Sequence, residues 1–155
     1  MLFRSRRLEI AVDLNPNLVW GHAWLGMALA SLGEYEKALA SVETALRLSP
    51  RDPFKAGWHS MAGYTAFGAG DYEDAIRWCQ RGLDAQADHP GVLRVMAASY
   101  GQLGRLEEAR ATITALLRAA PGITVESTRA QIPWEDPAAM ERYVDGLRKA
   151  GLPES

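Results

Sequence analysis

Three side chains are candidates for binding a metal or attacking a substrate, and they lie far apart in sequence: His22, His59 and Cys79. A zinc site needs three or four such ligands at bonding distance, and these spacings match no known ligand motif. The two histidines are better explained as bulky packing residues. We therefore predict no metal site.

The carboxylates are numerous enough to suggest acid–base chemistry, but their positions favour a structural role. They are Glu34, Glu36, Asp71, Glu73, Asp74, Glu107 and Glu108. These residues cluster where helices are expected to begin, and the helix dipole favours negative charge there. The glycines between Gly57 and Gly70 lack the following Lys-Ser/Thr of a phosphate-binding loop. We expect no catalytic residues and no cofactor, and hence no enzyme.

The overall charge of the 155-residue chain is close to neutral, with a formal net charge of -2. A global basic field that would attract nucleic acid or an anionic membrane is therefore not expected. Arg4, Arg6 and Arg7 form a local basic cluster, which we interpret as a solvated helix face rather than a polyanion or lipid contact. The sequence has no apolar run of about 20 residues, no signal peptide and a single cysteine. These features predict a cytoplasmic protein.

Three short stretches of the sequence are near copies of one another. They occupy residues 32–38 (LGEYEKA), 69–75 (AGDYEDA) and 103–109 (LGRLEEA). The alanines that end them are 37 and 34 residues apart. Self-similarity with a period of about 34 residues predicts stacked helix-turn-helix units that bury their apolar faces against one another. The fold class is therefore predicted to be all-α, and the function to be binding.

Each copy has apolar residues at helical spacing on both sides of a glycine. Gly33, Gly70 and Gly104 are predicted to end one helix, because glycine adopts positive φ without a Cβ penalty. Asp71 is predicted to cap the helix that follows. Cys79 stands where the other copies have Val42 and Ile113, which predicts a buried, unreactive thiol.

The two ends of the chain differ from the copies. Residues 2–14 are predicted to form the second helix of an earlier unit, with an apolar edge exposed. That edge is explained either by a longer protein or by a covering molecule, including a second copy in a homodimer. At the other end we predict a short helix over 124–131, an extended segment over 132–135, and a helix over 137–150 capped by Asp136. That last helix can lie across the last repeat as a lid anchored by Trp134.

The pattern of glycines, alanines and closing prolines resembles the tetratricopeptide repeat. The repeats then span about 19–52, 56–89 and 90–123, after a half-repeat over 1–18 and before a capping region over 124–155. His22 and His59 replace the motif's first aromatic residue, and Tyr100 retains its later one. The resemblance implies a right-handed α-solenoid of helical hairpins with a C-terminal capping helix, working as a protein-protein interaction scaffold.

The resemblance also implies which residues line a concave groove for a peptide or partner helix. They are Trp20, Met27, Ser31, Ser60, Tyr64, Phe67, Arg94 and Gln102. The family's carboxylate-clamp positions fall on Ala23, Met27, Ser60 and Tyr64, so an apolar or helical partner is favoured over a terminal carboxylate. Trp20, Met27 and Phe67 are equally well explained by packing on neighbouring helices or the lid.

The C-terminal region from Ile132 to Glu154 resembles the end of bacterial multidomain signalling proteins. In those proteins a tetratricopeptide region follows a class III adenylate or guanylate cyclase domain, or a winged-helix DNA-binding domain. The resemblance implies an alternative function, as the regulatory C-terminal segment of such a protein. No residue here matches a cyclase's metal-binding carboxylates.

Overall fold

The structure is a computed structural model that describes residues 2–132 and 134–155. Over these residues the chain forms nine α-helices and no strand. The helices are α1 Leu2–Leu14, α2 Val19–Ser31, α3 Tyr35–Leu48, α4 Lys55–Gly68, α5 Tyr72–Ala85, α6 Pro90–Gln102, α7 Leu106–Ala119, α8 Val125–Gln131 and α9 Pro137–Ala150. None of these described helices is long and apolar enough to cross a membrane. The all-α prediction is confirmed.

Six of the helices form three hairpins, which we call the first (α2 and α3), second (α4 and α5) and third (α6 and α7). Each hairpin packs on the next through α3 with α4 and α5 with α6. The first helices α2, α4 and α6 also contact one another in order, so they line one continuous surface, which we call the groove. This arrangement is an α-solenoid.

The predicted turns and caps are confirmed. Gly33, Gly70 and Gly104 follow the ends of α2, α4 and α6 with φ of 80°, 85° and 71°. A Cβ would strain this left-handed conformation, which explains the repeated glycine. Asp71 Oδ1 accepts a 3.0 Å hydrogen bond from the Asp74 amide at the start of α5.

Small residues within the helices allow the two members of a hairpin to approach closely. A Cβ on Gly26 of α2 would lie 2.9 Å from the Ala38 carbonyl oxygen of α3. A Cβ on Gly63 of α4 would lie 3.0 Å from the Cys79 sulfur of α5. Cys79 is fully buried, as predicted, and burial raises the pKa of its thiol. It therefore packs as a small apolar residue.

The extra residues between the first and second hairpins form a turn. The Phe54 amide donates to Asp52 Oδ1 at 2.8 Å, and the Lys55 amide donates to the Asp52 carbonyl at 3.1 Å. The helix α4 begins only at Lys55. The turn leaves the Phe54 ring exposed.

The first helix packs on the first hairpin with one side only. Val12 of α1 is buried and Leu8 packs against the core. Phe3, Ile10 and Leu14 are 79%, 53% and 82% exposed. These three residues form an apolar stripe on α1 outside its contact with α2.

The predicted Asp136 cap of α9 is confirmed: its side chain accepts from the Ala138 amide at 2.9 Å. Thr124, predicted as the first residue of the short helix, instead caps α8 and forms a capping box with Ser127. The extended segment predicted over 132–135 includes Pro133, which lies outside the described residues. The flanking Ile132, Trp134 and Glu135 are not helical.

Candidate protein-interaction surface

The groove is filled at the second and third hairpins by the chain's own C-terminal helix. We use the name lid for Trp134 together with α9. The lid packs chiefly on α6, where the backbones are in contact: a Cβ on Gly101 would overlap the Gly146 carbonyl oxygen. A Cβ on Gly146 would in turn lie 3.1 Å from the Ala98 Cα. Only glycine at both positions permits this crossing.

Four aromatic rings form the interface between the lid and α4. Tyr64 stacks on Trp134 with ring centroids 3.9 Å apart and an interplanar angle of 14°. Phe67 meets the Tyr143 ring edge to face at 5.0 Å. Trp134 and Tyr143 also contact each other at 5.2 Å. Burying each ring contributes about 2 to 3 kcal/mol, so the lid belongs to the hydrophobic core.

Hydrogen bonds from each hairpin hold the lid and its preceding segment in place. From the third hairpin, Gln102 Nε2 donates to the Arg142 carbonyl and to Asp145 Oδ2 (3.0 Å), and Arg94 Nη1 donates to Gln131 Oε1 (3.1 Å). The Gly68 carbonyl of the second hairpin accepts from Arg142 Nη2 at 3.1 Å. The Ser31 carbonyl of the first hairpin accepts from the Glu135 amide at 3.2 Å. Most of these bonds use backbone groups, so they hold the lid in position while placing little constraint on which side chains it carries.

Some buried polar atoms of this interface have no hydrogen-bond partner in the protein. They are the hydroxyls of Tyr64 and Tyr143, Trp134 Nε1 and Arg94 Nε. Burial raises the pKa of Tyr143 to about 12, although the nearby Arg94 guanidinium offsets part of this rise. Burial also raises the pKa of Tyr64. An unpaired buried polar group costs about 1 to 3 kcal/mol, which offsets part of the gain from ring burial.

The first hairpin, by contrast, presents aromatic side chains to solvent. Trp20, Trp24 and Phe54 are 39%, 49% and 60% exposed, and we call them the aromatic edge. Trp20 and Trp24 are four residues apart on α2, hence neighbours on one helix face. Phe54 meets the Trp20 ring edge to face at 4.9 Å. Large aromatic side chains that are accessible together are typical of protein contact sites.

Trp24 is exposed although the equivalent positions of the other hairpins are buried or packed against the core. In the second and third hairpins the same register position holds Met61 and Val95. Met61 packs against the core, and Val95 is 2% exposed. Trp24 was not among the residues predicted from the sequence to line the groove. Its register favours burial, so the signal for its exposure is its place in the first hairpin, which has a single described helix, α1, before it.

The predicted groove residues divide into two groups. Trp20 is exposed, and Met27 and Ser60 are half-buried. Tyr64, Phe67 and Gln102 contact the lid, and Arg94 donates to Gln131 at the end of α8. Ser31 is buried, and its hydroxyl donates to the Met27 carbonyl at 2.9 Å. Whether any of them binds a partner stays a prediction.

The candidate metal ligands are separated in the fold. A His22 ring nitrogen bonds the Pro16 carbonyl at 2.9 Å, whereas His59 is buried beside Trp78 with ring centroids 5.8 Å apart. Burial, reinforced by the charges of Lys55 and Arg81, lowers the pKa of His59 to about 4. In the part of the chain that the structure describes, no three His, Cys, Asp or Glu side chains converge on a metal position.

The stacked hairpins and the long groove define a helical repeat protein of the scaffold class. Two family models described as tetratricopeptide repeat match the sequence, one over residues 66–132 and the other over 6–53 and 25–90. The chain belongs to the tetratricopeptide repeat family. Members of this family generally mediate protein-protein interactions and are typically non-catalytic.

Comparisons with individual proteins agree with this assignment. The chain is 27% identical over 93 residues to small glutamine-rich tetratricopeptide repeat-containing protein 2 of Mycosarcoma maydis, a match that covers 60% of this chain and 26% of that protein. The chain thus spans about a quarter of the length of this curated relative.

Solved structures with the same fold cover nearly the whole chain. A crystal structure of MamA superposes with a TM-score of 0.67 at 18% identity, covering 94% of this chain and 84% of that one. TTC0263, a thermophilic TPR protein of Thermus thermophilus, superposes with a TM-score of 0.65 at 24% identity, covering 93% and 71%. At these identities the likeness shows the fold alone, and it confirms the predicted α-solenoid.

Proposed function

We propose that this chain is a non-catalytic scaffold that binds a peptide or partner helix at the open, first-hairpin end of its concave groove. The observation that supports this proposal is the aromatic edge, where Trp20, Trp24 and Phe54 remain exposed beside each other. Truncating such residues at a protein interface commonly weakens binding strongly, because they bury large areas at low entropic cost.

The chemistry of this end favours an apolar partner segment. Met27 lies half-buried on the same helix as the two tryptophans, and its flexible thioether adapts to different side chains. The positions that would hold a terminal carboxylate carry Ala23 and Met27 instead of lysine or asparagine. A helix that inserts apolar side chains between the rings suits this surface.

A photo-crosslinking amino acid at position 24 tests this proposal in extracts of the native host. The matched control places the same amino acid at Thr114, an exposed residue of α7 far along the solenoid. We expect one defined protein to crosslink at position 24, not at 114, and to be lost when Trp20→Ala is added. Equal crosslinking at both positions would contradict a binding site at the aromatic edge.

A second copy of the chain is a further candidate partner, because α1 exposes an apolar stripe. We propose that Phe3, Ile10 and Leu14 pack against their counterparts in a homodimer. Light scattering over a range of protein concentrations should then show a dimer that Ile10→Glu dissociates. Glu9→Lys, an exposed position of the same helix away from the stripe, should leave it intact. A strict monomer at all concentrations would remove this candidate.

A further inference from the structure

We propose that the lid is an exchangeable occupant of the groove, and that the second and third hairpins form a helix-binding site which α9 fills until a partner helix replaces it. This inference rests on the proposed scaffold function and extends it from the open end to the covered one. The expected partner is an amphipathic helix of the same kind as α9, but with a carboxylate or amide beside Arg94 and Tyr64, whose buried Nε and hydroxyl have no partner in the protein.

The lid itself shows which helix this site accepts. Along α9, Met140, Tyr143, Val144 and Leu147 are buried on one face, at the i, i+3, i+4, i+7 spacing of a helix that lies in a groove. Gly146 on that face allows backbone contact with α6. A replacing helix therefore needs an aromatic residue followed three positions later by glycine or another very small residue.

The lid leaves polar groups of the site unsatisfied. The Tyr64 hydroxyl and Arg94 Nε belong to the hairpins and are buried without a partner beneath Trp134 and Tyr143. Neither of those lid residues has a carboxylate to offer. A partner helix with a carboxylate or amide beside Arg94 and Tyr64 would form hydrogen bonds that α9 cannot. The site therefore favours such a helix over its own lid.

The C-terminal region also has contacts of its own that do not involve the hairpins. The Val125 and Glu126 amides of α8 donate to the Pro153 and Glu154 carbonyls at 2.9 and 3.1 Å, and α8 packs on α9. Arg129 of α8 pairs with Glu141 of α9 at 2.6 Å. These contacts persist when the lid leaves the groove, which lowers the free energy needed for exchange.

A labelled synthetic peptide of residues 134–152 tests this proposal on the full chain by fluorescence anisotropy. The lid is locked in a Gln102→Cys, Asp145→Cys variant by a bismaleimide that a reductant cleaves; the two native side chains lie 3.0 Å apart. Buried Cys79 is protected from the reagent. We expect the unlocked protein to bind the peptide, the locked protein to bind at least about tenfold more weakly, and cleavage to restore binding.

The controls separate the possible failures. A peptide with Gly146→Ile should not bind, because its side chain would overlap α6. Trp24→Ala should leave peptide binding unchanged, so a loss of the native partner at the aromatic edge is distinguishable from a failure of this site.

Absence of saturable peptide binding to the unlocked protein, or binding that the lock leaves unchanged, overturns the proposal. A wild-type dimer that the lock abolishes would identify a second copy's lid as the occupant and overturn the assignment to a partner helix.

The unpaired hydroxyl of the lid offers a second test. Tyr143→Phe removes that hydroxyl, so it should hold the lid more firmly and weaken peptide binding severalfold. Tyr100→Phe, on the same helix layer but outside the lid contact, is the matched control and should change nothing. Equal effects of the two variants would contradict a role for the unpaired groups in exchange.

Discussion

At the second hairpin the aromatic residues of the groove are packed under the lid, whereas at the first hairpin they face solvent. Phe67 is fully buried, while Trp24 is 49% exposed. Each lies on the first helix of its hairpin. The comparison shows that the first two hairpins both carry aromatic side chains on this helix, and that the neighbouring segments decide whether these side chains stabilise the fold or remain available for binding.

Truncation at the two ends should separate these roles most clearly. Phe67→Ala should lower the free energy of unfolding by about 3 to 5 kcal/mol, because it leaves a cavity in the lid interface. Trp24→Ala should lower it by only about 0.5 kcal/mol, as expected for a surface substitution. Urea unfolding measures both, and comparable losses would contradict the division into a covered and an open end.

The backbone crossing of the covered end should also be sensitive to a single methyl group. Gly101→Ala places a Cβ against the Gly146 carbonyl and should destabilise the protein by about 1 to 3 kcal/mol. In Gly57→Ala the new Cβ meets only His89 Nε2 at 3.7 Å, so the higher helix propensity of alanine should stabilise by up to about 1 kcal/mol. Thermal unfolding followed by circular dichroism compares the pair. A stable Gly101→Ala variant would mean that the lid lies elsewhere.

The junction between the two ends should respond to pH through His59. Folding lowers its pKa from an ordinary value near 6.5 to about 4, so between these values the unfolded chain binds a proton that the folded protein does not. The contribution of His59 to the free energy of unfolding should therefore be constant above pH 6.5 and fall as the pH drops toward 4. The full pKa shift corresponds to a loss of about 3.4 kcal/mol in the free energy of unfolding over this pH range. We reduce this loss to about 2 kcal/mol for solvent screening.

His59→Leu isolates this contribution, since Leu93 occupies the same position in the third hairpin. Urea unfolding at several pH values should show a shallower slope in this variant. His89, whose pKa burial also lowers, and carboxyl groups with a lowered pKa such as Asp145 contribute to the slope that remains. An unchanged slope in His59→Leu would contradict the buried, neutral histidine.

The smallest expected effect is a gain in stability from a substitution at the covered end. Tyr143→Phe removes a fully buried hydroxyl that has no hydrogen-bond partner in the protein and should stabilise it by about 1 kcal/mol. Differential scanning calorimetry would detect the rise in Tm. A decrease would show that the hydroxyl forms a hydrogen bond in solution.

Local features of the fold could be predicted from sequence because they depend on neighbouring residues. The glycine turns, the Asp71 and Asp136 caps and the helix over 137–150 each follow from a few adjacent side chains. The sequence predicted that this helix can lie across the last repeat as a lid anchored by Trp134. Whether it occupies the groove could not be predicted, because its crossing point depends on the contact of Gly101 with Gly146, far apart in sequence. The resemblance to cyclase and winged-helix proteins stays a prediction, since nothing in this fold depends on it.

The central claim is that the chain's own C-terminal helix fills the groove of the second and third hairpins while the aromatic edge stays free. Nuclear Overhauser effects between the Tyr143 and Phe67 ring protons test it directly, because their centroids lie 5.0 Å apart. We predict strong cross-peaks between these rings and none from Tyr143 to Trp24. Absence of the Tyr143–Phe67 cross-peaks, with Tyr143 shifts typical of an exposed ring, would contradict the account.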